Sequence, residues 1–255
     1  MPDPHNCPAW SLAHAGFGGL VVVMVWTGTA LFNDYYDIDI DRVVNPDRPI
    51  PSRAISRQAL FVIAILLYAA ALILTLIEGT VELKALIIMC MVLGYTYSAP
   101  PVRLRLFGLM ANSVIGFGCF SSFLGGGLAQ YVLAPNHVIM AASLGILAAV
   151  SSMVKDFKDC EGDRQVGVKT LPVVLGYKKA AILLKLGLIP AYIIAVVPLM
   201  YGTYKPISLL LMVLVFIFNF IIVTKLECNT TLNYRRKAYI VAIMCYIIVV
   251  VLYLL

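Results

Sequence analysis

Asp34, Asp37 and Asp41 recur at intervals of three and four residues within the stretch 33–42. It reads Asn-Asp-Tyr-Tyr-Asp-Ile-Asp-Ile-Asp-Arg and stands directly behind a long apolar run. With Asp39, it places four of the chain's 13 acidic residues in eight positions. If the apolar helix continues through the stretch, the i, i+3, i+7 spacing sets the three carboxylates on one helical face. Asn33, four residues before Asp37, joins that side, and Asp39 points elsewhere. Converging carboxylates repel one another unless something positive lies between them. Oxygen-only ligands suit a hard cation such as Mg2+. A second stretch, 155–163 (Lys-Asp-Phe-Lys-Asp-Cys-Glu-Gly-Asp), closes another apolar run and repeats the spacing at Asp156, Asp159 and Asp163. One such cluster could be a solvated helix end. Two matched clusters at the mouths of two membrane helices argue for chemistry, since carboxylates at the membrane edge are functional by default.

The elements that must position them are membrane helices. Hydrophobic residues make up 62% of the chain and the mean hydropathy is +0.94. These values exclude an ordinary soluble domain and predict an all-α integral membrane protein. The first ten residues lack a basic n-region and a small-residue cleavage pattern, so no signal peptide is expected. The six cysteines are scattered, with no CxxC pair and no zinc spacing. Three distant histidines, and the lack of a GxSxG elbow or a P-loop, exclude the common histidine-based and nucleotide-binding chemistries.

Eight runs are long enough to span: about 11–32, 58–77, 83–98, 107–129, 137–154, 179–200, 206–225 and 237–255. With alternating helices, the connections 33–57, 99–106, 155–178 and 226–236 share one side. With their helix ends they carry 16 of the 19 Lys and Arg residues. The positive-inside rule makes that side cytoplasmic and puts both Asp clusters on it, with both termini outside. The net charge of +6 is thus topological. It attracts anionic membrane lipid and phosphate, and gives no reason to invoke nucleic acid. The two clusters lie 122 residues apart, each ending a helix that runs inward, as in a parallel internal repeat.

After the first cluster, three prolines stiffen Asn45-Pro46-Asp47-Arg48-Pro49-Ile50-Pro51-Ser52-Arg53. Arg48 and Arg53 are spaced to face a polyanion, although ordinary cytoplasmic anchoring would also explain them. Pro100-Pro101 ends the third helix, leaving Tyr97 and Ser98 at its end and Arg103 just beyond; Arg103 and Arg105 are open to the same two readings. Run 107–129 is rich in small residues, which permit close helix approach or leave room for an isoprenoid chain. Tyr234-Arg235-Arg236-Lys237 reads most simply as an anchor. Carboxylates ringed by basic residues suit Mg2+-bridged diphosphate. Membrane helices around them could hold a hydrophobic tail. Together these predict ionisation of a polyprenyl diphosphate donor and transfer of its prenyl group to a lipophilic acceptor, with the leaving charge stabilised electrostatically. Faces of Tyr35, Tyr36 or Tyr97 could stabilise an allylic cation.

Asn33-Asp34-x-x-Asp37-x-x-x-Asp41, the following Arg48-Pro49-Ile50-Pro51-Ser52, Tyr97-Ser98 with Pro101-x-Arg103, and Asp156, Asp159-x-x-x-Asp163 resemble the UbiA superfamily of intramembrane prenyltransferases. The resemblance runs from about Ala30 to Tyr177, with compatible helices after it. It implies a single-domain multi-helix transmembrane bundle around a central cavity, two Mg2+ ions and a cytosol-facing cap. It assigns Asn33, Asp34, Asp37 and Asp41 to a first metal–diphosphate site, and Asp156, Asp159 and Asp163 to a second. Arg48, Arg103 and Lys155 would be diphosphate partners, and Tyr97 and Ser98 belong to the same substrate-binding motifs. The family usually has nine spanning helices; eight are read here, and the one that looks missing is the first.

The run Asp156 to Arg164 followed by Thr170-Leu171-Pro172-Val173 is similar to members that use geranylgeranyl donors, among them archaeal digeranylgeranylglyceryl phosphate synthases and chlorophyll synthases. The first of these implies a geranylgeranylglyceryl phosphate acceptor. Aromatic quinone precursors and chlorophyll-type acceptors are the alternatives. A different class, a membrane transporter or lipid-binding scaffold with a divalent-cation site, would place polar residues near the bilayer midplane rather than at helix ends. A membrane diphosphatase would use the same residues. Chain length of the donor and oligomeric state are left open by the sequence.

Overall fold

Eight helices follow one another: α1 (Leu12–Val44), α2 (Arg57–Glu78), α3 (Val81–Ser98), α4 (Gly108–Ala129), α5 (Pro135–Gln165), α6 (Leu171–Tyr201), α7 (Pro206–Lys225) and α8 (Leu232–Leu254). A single 3-10 turn, Leu104–Leu106, precedes α4. The structure is a computed structural model that describes residues 12–44, 55–130, 133–201, 206–228 and 231–254. All eight helices are long and apolar enough to cross a membrane. Among the described residues the only extended pairing is one parallel bridge between Phe107 and Lys169. The chain is an all-α integral membrane protein, with large apolar side chains such as Leu66, Ile77, Ile193 and Met200 turned outward.

The expected number and order of spans hold, including the short third one. It starts at Val81 because the Thr80 hydroxyl accepts a hydrogen bond from the Leu83 N–H at 3.2 Å, and Glu82 in its first turn suits the helix dipole. Three ends differ from the apolar runs by more than five residues. The helix expected over 11–32 runs on to Val44, and that over 137–154 runs on to Gln165. Charge ends an apolar window, but only a breaker ends a helix. Asn45-Pro46 follows α1 in sequence, and Gly167, at φ 76°, follows α5. The third difference lies in the expected loop 155–178. Its second half is helical from Leu171, with Pro172 in the first turn where a missing N–H costs nothing.

Gly176 interrupts that helix. At φ 77° and ψ 164° it breaks α6 into a short N-terminal piece and the long span. This backbone region is essentially restricted to glycine. A Cβ there would meet nothing within 4 Å, so Gly176→Ala tests backbone strain alone. It is expected to lower stability by about 1–3 kcal/mol, read as a lower melting temperature in detergent. An unchanged melting temperature would show that the kink is not fixed.

The chain divides into two compact units, Met1–Ala99 with Ser122–Ala134, and Pro100–Ser121 with Pro135–Leu255. In the first, α1 packs along α2 and α3. Buried Phe32 sits edge-on to Phe61, Tyr68 and Tyr95, with ring centroids 5.7, 5.2 and 5.4 Å away. In the second, α5 is the central element. Its buried residues Ala141, Leu144, Leu147, Ala148, Ser151, Val154 and Phe157 follow helical spacing. Gly116 and Gly145 let α4 and α5 approach at backbone distance. A Cβ on Gly116 would fall 2.6 Å from the Gly145 carbonyl oxygen, and one on Gly145 would fall 2.7 Å from the Phe120 Cβ. Gly116 of α4 therefore serves close packing at this crossing.

Candidate active site

The first cluster stands on the last turns of α1. Asn33 Nδ2 donates to Asp37 Oδ2 at 2.9 Å and to Ser98 Oγ at 3.0 Å. The first contact follows from i, i+4 spacing on one helix. The second requires the end of α3 to lie against α1. One turn earlier, Thr29 faces Gly94, where a Cβ would fall 2.6 Å from the Tyr68 hydroxyl. Thr29 Oγ1 and the Tyr68 hydroxyl are themselves hydrogen-bonded at 2.7 Å. The lack of a side chain at Gly94 thus admits the close approach that delivers Ser98 to Asn33. Asp37 is 7% exposed, and Asp34 and Tyr97 are half-buried. The side chain of Asp41, and Arg48 altogether, lie outside the described residues. The Tyr35 ring is occupied on one face by the Arg57 guanidinium, 4.5 Å from its centroid, and the Tyr36 hydroxyl lies 3.1 Å from that of Tyr95.

The second cluster stands on the last turns of α5. Asp156 Oδ2 accepts from Asn112 Nδ2 at 3.0 Å, and the same nitrogen donates to the Gly108 carbonyl at 2.8 Å. The Ser152 hydroxyl donates to Asn112 Oδ1 at 2.5 Å. Asn112, 2% exposed, therefore spends its amide on orienting one carboxylate. Neither Asn112 nor Ser152 was anticipated from sequence. The available signal was an amide within an apolar and small-residue span, where polar groups are costly unless used. Asp163 accepts from the Thr170 hydroxyl at 3.3 Å, and Asp159 pairs with Lys158 at 3.1 Å. The charges of Lys155 and Arg105 bear on Asp163, and that of Lys155 on Asp156.

Thr170 is held near Asp163 by a backbone staple. The Lys169 N–H donates to the Leu106 carbonyl at 2.9 Å, and the Gly108 N–H to the Lys169 carbonyl at 3.1 Å. The segment before α4 is thereby tied to the segment after α5. Arg103, at the start of the stapled segment, has φ 46° and ψ 58°, an unusual left-handed conformation for a residue with a long side chain. Its Nε is buried without a hydrogen-bond partner among the described residues. Arg235 departs from expectation. It is 4% exposed, bonded to α5 and not spread at the membrane surface as an anchor, whereas neighbouring Arg236 is exposed.

The donors in both clusters are carboxylate, amide and hydroxyl oxygens, the set a hard cation prefers. Among the described residues, no three His, Cys, Asp or Glu side chains come close enough to hold a metal ion by themselves. In the second cluster Asp156 is held by the neutral Asn112, and in the first Asp37 is held by Asn33. This donor set fits Mg2+, which takes one or two carboxylates and fills its remaining positions with water and phosphate oxygens.

The UbiA prenyltransferase family model matches residues 4–241. A digeranylgeranylglyceryl phosphate synthase of Sulfolobus acidocaldarius is 33% identical over 167 residues, 66% of this chain and 59% of that protein. A chloroplastic chlorophyll synthase of Oryza sativa is 34% identical over 177 residues, 63% of this chain and 46% of that protein. The match thus spans less than two thirds of either relative's length. Among solved structures, a UbiA homolog from Archaeoglobus fulgidus bound to DMAPP and Mg2+ superposes with a TM-score of 0.76 at 20% identity, covering 96% of this chain and 89% of that one. That likeness establishes a shared fold. With the family model matched along nearly its whole length and the paired Asp motifs in place, the chain belongs to the UbiA prenyltransferase family.

Proposed function

We propose that the chain, acting as a single prenyltransferase domain, transfers a prenyl group from a polyprenyl diphosphate to a lipophilic acceptor in a Mg2+-dependent reaction at the cytoplasmic face of the membrane. The donor in this reading carries a geranylgeranyl group and the acceptor is geranylgeranylglyceryl phosphate. The likeness to the chlorophyll synthase favours a chlorophyll-type acceptor as the second reading, with an aromatic quinone precursor beside it. The observation that carries the proposal is the pair of helix-end carboxylate sets, each with one aspartate fixed by a buried or half-buried asparagine.

In this chemistry the allylic carbon–oxygen bond breaks and its electron pair leaves with diphosphate. The acceptor hydroxyl oxygen then bonds to that carbon and loses its proton. Bound Mg2+ supplies positive charge against the diphosphate oxygens. Asn33, Asp34 and Asp37, with Asp41, would hold it at one cluster, and Asp156, Asp159 and Asp163 at the other. Arg103 and Lys155, with Arg48, would offset the remaining diphosphate charge, and Ser98 and Tyr97 would line the same end of α3. Preorganised groups of this kind lower the barrier because they are already aimed where charge develops.

The test is diphosphate release from geranylgeranyl diphosphate by the purified protein, with Mg2+ or EDTA, and with or without geranylgeranylglyceryl phosphate. Release that requires both Mg2+ and this acceptor, with a diether product, is expected. Mg2+-dependent release with a different acceptor moves the substrate and keeps the reaction. Release without an acceptor is hydrolysis, and absence of release with every donor overturns the proposal.

A further inference from the structure

The side of α5 that turns away from its aspartates is gripped by α8. At ~100° per residue, Asp156, Asp159 and Asp163 fall within about 60° of one another, and Phe157 and Glu161 lie about 150° round the helix. Arg235 Nη1 donates to the Phe157 carbonyl at 2.9 Å and to the Glu161 carboxylate at 3.0 and 2.7 Å. The Tyr177 hydroxyl, placed by the Gly176 break, donates to Glu161 Oε1 at 2.6 Å and also meets Arg235 Nη1. The Arg235 guanidinium lies 4.9 Å from the Tyr177 ring centroid. One turn further along α8, the Tyr239 ring lies 5.0 Å from Lys158 Nζ, and Lys158 is the partner of Asp159.

Nothing in the transfer chemistry uses this cluster, yet its placement is specific. A charge so buried is costly unless it is paired and fully hydrogen-bonded. It is spent on the one stretch of α5 that carries the second aspartate set, beyond the apolar part of the helix, where packing alone holds a helix end weakly. All of its hydrogen bonds to α5 come from one guanidinium nitrogen, Nη1, and the guanidinium also lies against the Tyr177 ring, a stacked contact that an ammonium group makes less well.

We propose that Arg235, with Glu161 and Tyr177, is a positioning device that fixes the terminal turns of α5 so that Asp156, Asp159 and Asp163 are presented to Mg2+ and diphosphate. This rests on the reading given under Proposed function. The variants are Arg235→Lys, Glu161→Gln and Tyr177→Phe, with exposed Arg236→Ala as control. Two readouts are taken: the Mg2+ concentration for half-maximal diphosphate release, and the rise in melting temperature that Mg2+ with inorganic diphosphate produces in the purified protein without donor. The proposal expects the half-maximal Mg2+ concentration to rise about 10-fold or more in Arg235→Lys and Glu161→Gln. It expects a smaller rise in Tyr177→Phe, a diminished Mg2+-dependent thermal shift in all three, and control values in Arg236→Ala. A kcat loss with unchanged Mg2+ dependence and unchanged thermal shift overturns it. If the parent protein releases no diphosphate from any donor, the transferase reading fails, and the thermal shift still decides the positioning role. Should Arg235→Lys not yield folded protein, the hydroxyl-only change Tyr177→Phe carries the comparison.

Discussion

Asp37→Ala is expected to reduce prenyl transfer by roughly 10³-fold or more, the scale seen when a preorganised electrostatic group is removed from a water-poor site. Asp37 is nearly buried and takes a hydrogen bond from Asn33, so its carboxylate is held in one orientation before any substrate arrives. Asp37→Asn separates two explanations. The amide keeps an oxygen for Asn33 and keeps the volume, but removes the charge. If the carboxylate serves a cation, both variants lose activity alike; if it only packs, the asparagine variant retains activity. Neither change should unfold the protein, because removing a buried charge also removes its desolvation cost. Asp159→Ala should behave in the same way from the other cluster. Steady-state turnover at saturating Mg2+, beside a melting curve for each variant, makes the comparison. Full activity in either alanine variant would sink the two-cluster model.

Asn112→Ala is expected to have the next largest effect, and on two measurements at once. Its side chain joins the Gly108 carbonyl, the Ser152 hydroxyl and the Asp156 carboxylate. Truncation leaves these groups short of a partner inside the helix packing, a loss of about 1–3 kcal/mol. It also frees Asp156 to rotate. Residues that orient a metal-binding carboxylate typically matter by about 10- to 100-fold in affinity or activity. Ser152→Ala removes one link and leaves the Asn112–Asp156 contact, so it should lower the melting temperature slightly and activity only a few-fold. Equal activity losses in the two variants would mean that the amide does not orient the carboxylate.

Much of this was legible from residue spacing. Eight spans follow from the length of the apolar runs, the position of both aspartate sets from the ends of two of those runs, and the Asn33–Asp37 contact from a spacing of four within one helix. The end of α3 at Ser98 follows from Pro100-Pro101. What pattern could not supply was the neighbour across a helix interface. Asn112 and Ser152 look like any polar residues in a small-residue span until α4 is laid on α5. Arg235 and Arg236 are the same residue type one position apart, yet a rotation of ~100° buries one and exposes the other. Helix ends depart from the ends of the apolar runs for a related reason. Window averages respond to charge, whereas the hydrogen-bonded ladder continues through Asp-rich sequence until glycine or proline interrupts it.

The backbone staple at Lys169 has a consequence for the order in which the protein is made. Translation delivers the chain from its amino end. Everything the staple needs, from Leu106 to Lys169, exists while α6, α7 and α8 are still unmade. At that stage α4 and α5 have all the groups required to seat Gly116 against Gly145 and Asn112 against Asp156. Domains assemble as units in step with synthesis, and this hairpin is closed at its open end by its own backbone. The last helix then brings Arg235 to the rear of α5. A nascent chain stalled before α8 would hold Asp156 already aimed, on a helix end met from behind by Tyr177 but not yet by Arg235.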